Sequence, residues 1–142
     1  MAVYSSQNIP IAIIEFKNLD RMDENFAIQF RKNMILENNY FTAPFFLLLS
    51  QNIGFLWKNS GLHPEEPPTI SFSVKEIIEK YFPTEDKDKW LSKPELEMVI
   101  FGWLMELSYL REIPESKAEK ILADNNFLQA IKGAHVQMGV SQ

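Results

Sequence analysis

Residues 94–112 place the strongest constraint on the fold, because on a helical wheel their apolar side chains fall on two separate arcs. Leu96, Val99, Ile100, Trp103, Leu104, Leu107 and Leu110 form one arc. Met98, Phe101, Met105 and Tyr109, with Gly102 beside them, form the other. Glu95 and Glu106 divide the arcs on one side, and Glu97, Ser108 and Arg111 divide them on the other. Ser92-Lys93-Pro94-Glu95 opens the segment as a capping box with proline in the first turn, and Pro114 ends it. A helix with two apolar faces needs two covers. Either its own chain supplies both, or a second molecule supplies one.

The same periodicity predicts further helices. Residues 23–38 carry Phe26, Phe30 and Met34 at spacings of four with Ala27 beside them, opposite Arg31 and Lys32, and Asn38-Asn39 closes the run. Residues 42–59 read as a second helix, capped by Thr42 with Pro44 in its first turn and stopped before Gly61. Its polar residues Ser50, Gln51, Asn52 and Lys58 do not gather on one face, whereas Phe45, Phe46, Leu49, Ile53, Leu56 and Trp57 do, as in a central helix. A third helix over 74–82 opens at Ser73 and Glu76. Helix four is 94–112, and capping at Ser116 and Glu119 opens a fifth that ends near 124–126, before a last helix carrying Phe127, Ile131, Ala134 or His135, and Met138 on one side. Residues 1–8 read as a loose tail. The Pro-rich stretch 61–70, with Pro64, Pro67 and Pro68, reads as an internal loop. Residues 9–16 are β-branched and 69–73 alternate with a period of two, so the two can pair as a small ribbon. The resulting expectation is one mainly α domain over 1–142, an irregular bundle of five to six helices with that optional ribbon.

Composition narrows the function classes. Fourteen Lys and Arg against 19 Asp and Glu give a net charge of −5, which repels phosphate backbones unless the basic residues are segregated, so no nucleic-acid partner is expected. Cysteine is absent, which removes disulfides, thiolate nucleophiles and Cys-ligated zinc. Met1 to Pro10 lacks the basic and apolar regions of a secretory signal, and the apolar window Phe41–Leu49 is far short of a membrane span, so a soluble cytoplasmic chain away from membranes is expected.

Chemistry is hard to find at the sequence level. The five glycines never cluster as a phosphate-binding loop requires, no strained Gly-x-Ser-x-Gly turn is present, and no catalytic residue, metal or cofactor is assigned. His63 lies in the Pro-rich loop, and His135 has no carboxylate at helical spacing to orient it. Glu106, between the two arcs of helix four and aligned with Glu95, is the carboxylate whose ionisation burial could perturb. The leading reading is therefore a non-enzymatic protein-protein interaction module, an acidic inhibitor of the immunity type or an adaptor, acting as a homodimer or on a protein partner through Met98, Phe101, Met105 and Tyr109. One alternative is a small-molecule-binding or enzymatic bundle with a pocket between helices two and four lined by Phe46, Trp57, Trp103 and Met105 and polarised by Glu106 or His135. The other is a helix-turn-helix regulator over 116–136, disfavoured because only Lys132 is basic on its second helix.

Overall fold

The computed structural model describes residues 1–37, 43–58, 63–86, 89–109 and 113–138. The helix closure at Asn38-Asn39, the Thr42 cap, the stop before Gly61 and the last turn 110–112 of the fourth expected helix lie outside these residues. Within them the chain runs β1 (Ala2–Tyr4), β2 (Pro10–Phe16), α1 (Glu24–Leu36), β3 (Phe45–Leu49), β4 (Ile53–Lys58), β5 (Ile70–Ser73), α2 (Lys75–Tyr81), α3 (Lys93–Tyr109), α4 (Lys117–Asp124), α5 (Phe127–Ile131) and β6 (His135–Gln137). The strands form one mixed sheet in the order β5-β4-β3-β2-β1-β6, with β2 and β3 parallel and every other pair antiparallel. The mainly α bundle is thus replaced by an α/β fold with six strands and five helices among the described residues.

The largest correction falls on 42–59, which is a hairpin of β3 and β4. Phe45-Phe46-Leu47-Leu48-Leu49 is buried at every position because both sheet faces are covered. A strand covered on both faces shows a continuous apolar run in place of alternation, and on a wheel such a run resembles a buried helix. The polar residues 50–52 that broke up the expected helix face form the turn: Ser50 N–H donates to Ile53 O at 2.9 Å, and Ser50 Oγ accepts from the backbone of Asn52 and Ile53. The ribbon is corrected too. Residues 10–16 and 70–73 are strands, but β3 and β4 lie between them. The expected tail contains β1, paired on both edges, with Ala2 and Val3 fully buried. The last expected helix stops at Ile131. Gly133, at φ 76° and bonded through its N–H to Ser108 O, turns the chain into β6.

Two cores result, one on each face. Helices α2 to α5 cover one face, where Leu96, Ile100, Trp103 and Leu104 of α3 meet Ile14, Phe45, Leu47, Leu49 and Leu56. Helix α1 covers the other, with Ala27 and Met34 against Ile13, Phe46, Leu48 and Trp57. Each large apolar side chain fully buried here contributes roughly 2 kcal/mol from area alone. Arg31, read as solvent-facing, is instead fully buried in this second layer. Its guanidinium lies 5.5 Å from the Trp57 ring centroid, donates to His63 O at 3.0 Å and approaches Glu66 at 3.7 Å. With Trp57 Nε1 donating to Glu66 O at 2.9 Å, this ties the Pro-rich loop down.

Candidate functional site

The residues singled out from sequence are dispersed. Phe46 and Trp57 pack edge to face, ring centroids 5.4 Å apart, under α1. Trp103 lies across the sheet and donates through Nε1 to the buried Glu119 carboxylate at 3.0 Å. Glu106 accepts from Tyr81 Oη and lies 3.7 Å from Lys80 Nζ, so its neighbours are on α2. His135 stands on β6, its ring 5.8 Å from that of Tyr4. The pocket expected between helices two and four is not formed, since the first of those helices is a hairpin whose Phe46 and Trp57 face α1, on the other side of the sheet from Trp103. Of the interface candidates, Met98 is 69% exposed and Tyr109 57%, while Phe101 and Met105 are half-buried against the larger core. Glu95 does not pair with Glu106 but caps its own helix, accepting from Ser92 N–H at 2.9 Å, and that bond holds its pKa below the usual value.

The polar group that stands out was not singled out from sequence. Glu15 interrupts an apolar strand, with Ile13, Ile14 and Phe16 buried around it, one residue before the end of β2. Successive side chains of a strand alternate faces, so Glu15 shares its face with Ile13 and with Lys17. Lys17 N–H donates to Leu49 O at 3.0 Å and so continues the parallel β2–β3 pairing past the strand end. The Lys17 ammonium lies 5.0 Å from the Phe30 ring centroid of α1, which holds it on this side. The pair therefore sits at the carboxyl ends of two parallel strands, where ligands gather in open α/β sheets.

The electrostatics of Glu15 are unusual. Burial pushes its carboxyl pKa up, against the opposing pull of the Met1 amino group, Lys93 and Lys17; Glu97 reinforces the rise. The Met1 amino group is itself pushed down by burial, with Glu15 and Glu97 pulling it back. Lys93 and Glu97 belong to the first turns of α3, which packs on the other face of the sheet, and they act on Glu15 through their charge. Among the described residues no three His, Asp or Glu side chains are grouped as a metal would need, so the site is one of a carboxylate among amines.

Known proteins add no assignment. No family model, curated protein or solved structure matches the chain. Among the described residues no helix is long and apolar enough to cross a membrane. The sequence signal for Glu15 and Lys17 was one charge at a position that strand periodicity would bury, with a second charge two residues on.

Proposed function

We propose that the chain is a hydrolase of phosphate diesters whose reactive centre is Glu15 with Lys17. The observation that carries this reading is a half-buried carboxylate, held more basic than usual, at the carboxyl end of a parallel strand with Lys17 on its face and Lys93 nearby. A carboxylate of raised pKa is the better general base near neutral pH. In the reaction proposed, a water oxygen attacks phosphorus and its proton passes to Glu15. The bond from phosphorus to the leaving oxygen breaks, the leaving group departs as an alkoxide or phenoxide that takes a proton from solvent, Glu15 returns its proton to solvent, and the Lys17 and Lys93 ammonium groups offset the charge on the phosphoryl oxygens. The net charge of −5 opposes an anionic substrate overall. The local group of amines is the segregation that makes a phosphate tolerable in spite of it.

The test is hydrolysis of bis(p-nitrophenyl) phosphate, with and without added Mg²⁺, by the wild-type chain, Glu15→Gln, Lys17→Met and a control, Lys32→Met. Lys32 pairs with Glu65 at 3.0 Å and lies outside the site. Loss of about 10²-fold or more in kcat for the first two variants is expected from removal of a general base or its charge partner. A wild type that releases no nitrophenol, or a Glu15→Gln rate equal to the wild-type rate, overturns the proposal.

A second reading rests on the exposure of Met98 and Tyr109 on α3. These side chains, with Phe101 and Met105 at their base, form a surface suited to a protein partner or a second copy, and the acidic balance favours a basic partner. Light scattering tests the homodimer: a wild-type dimer dissociated by Met98→Asp supports it, and a monomer at all accessible concentrations removes it.

A further inference from the structure

Gln51 lies in the middle of the β3–β4 turn with only 4% of its surface exposed. Its side-chain amide acts as a strand backbone would. Oε1 accepts from Leu91 N–H at 2.7 Å and Nε2 donates to Leu91 O at 2.6 Å, so one residue satisfies both backbone groups of another. Asn18 completes the junction: its Oδ1 also accepts from Gln51 Nε2, and its own Nδ2 donates to Leu91 O at 2.8 Å. Leu91 is itself 1% exposed, and the described residues between α2 and α3 contain no helix or strand, so its backbone groups have no ladder to join. Buried backbone groups without partners are costly, and Gln51 and Asn18 remove that cost at this point.

The three joined segments are the ones that carry the proposed reactive centre. Asn18 follows Lys17 directly, Gln51 follows the strand parallel to β2, and Leu91 precedes by two residues the first residue of α3, Lys93. We infer that Gln51 is the positioning residue of the Glu15–Lys17 site, fixing the start of α3, and so Lys93, relative to β2. This rests on the hydrolase reading given above. Glutamine fits the role by its donor and acceptor. Leucine of similar size leaves Leu91 N–H and Asn18 Oδ1 without that partner, and asparagine is one methylene too short to reach both.

The experiment is a double-mutant cycle read by carboxyl NMR titration of Glu15 in the intact chain, together with the bis(p-nitrophenyl) phosphate assay. Lys93 pulls the Glu15 pKa down, so Lys93→Met raises the Glu15 midpoint in the wild-type background. In a Gln51→Leu background the same substitution is expected to leave the midpoint unmoved, with kcat/KM lowered by about 10- to 100-fold, as small displacements of positioned groups produce. Asn18→Ala, which keeps both Gln51 bonds to Leu91, is the milder variant if Gln51→Leu does not fold, and is expected to weaken both effects partially. An equal Lys93→Met shift in both backgrounds overturns the inference. So does full hydrolytic activity in a Gln51→Leu chain that has lost the coupling. A wild type without hydrolytic activity overturns the hydrolase reading and the positioning role with it, whereas the titration cycle reports the geometry independently.

Discussion

Replacing Gly54 by alanine separates the hairpin from a helix over 42–59 by the sign of its effect. In the sheet, Gly54 pairs with Leu49 on one side and with Phe72 on the other. A Cβ at this position would lie 2.5 Å from Phe72 Cζ, 2.7 Å from Leu49 Cδ2 and 2.8 Å from Phe72 Cε2, all closer than real contacts allow. Leu49 is fully buried and Phe72 is 4% exposed, so both side chains would have to shift within the packed core. Overpacking of this kind costs about 1–3 kcal/mol. In a helix the same substitution would stabilise the chain by roughly 0.8–1 kcal/mol, because alanine is the better helix former. For a chain of this length the expected fall in midpoint is on the order of 4–12 °C. Thermal and urea unfolding followed by circular dichroism measures it, with the urea slope checked for constancy so that the shift reads as stability. A Gly54→Ala protein as stable as the wild type, or more stable, refutes the packing argument and the strand assignment beneath it.

Glu15→Gln is expected to stabilise the chain at pH 7 while abolishing hydrolysis. The folded carboxyl binds its proton more tightly than the unfolded one, so the wild type loses stability as pH rises from the ordinary glutamate value of 4.5, and the advantage of the variant closes below that value; unfolding free energies at pH 4 and pH 7 check the sign. Trp103→Phe removes the 3.0 Å donor to the buried Glu119 carboxylate and is expected to cost about 1.5–3 kcal/mol in urea unfolding. Met98→Asp lies at a 69% exposed position and is expected to change monomer stability by less than about 0.5 kcal/mol, so any larger fall that depends on protein concentration reports a lost dimer.

The helices flanked by prolines and caps were legible, and the strands inside the sheet were not. The helix expected from residue 94 is found as far as Tyr109, because caps and periodicity agree there: Ser92 Oγ accepts from Glu95 N–H at 3.3 Å while the Glu95 carboxylate accepts from Ser92 N–H. Ser116 likewise accepts from Glu119 N–H at 3.1 Å. The Ser73 and Glu76 spacing misled by one residue. The helix there begins at Lys75, and Val74 precedes it with no side-chain cap. In β3, and in Ile53–Trp57 of β4, the periodic signal is erased by burial on both faces, since neither the period of two nor that of 3.6 survives an unbroken apolar run. The remaining signal is the triplet Ser50-Gln51-Asn52, three polar turn formers between two apolar runs. Its middle residue is the one that now joins β2, β3 and the start of α3.

Glu15 sets a charged side chain against the apolar packing of its own strand. Every neighbour of Glu15 along β2 from Ala12 to Phe16 is buried and apolar, and the strand's central place in the sheet favours an apolar side chain at that position as well. A glutamate there loses solvation that its surrounding amines do not fully restore, which is why its pKa moves up despite three positive groups pulling it down. A carboxylate whose burial lowers stability at neutral pH breaks the local packing rule, and such a break is the place to test for chemistry. If Glu15→Gln were both more stable and fully active, that argument would fail, and Glu15 would be a tolerated defect in an otherwise apolar strand.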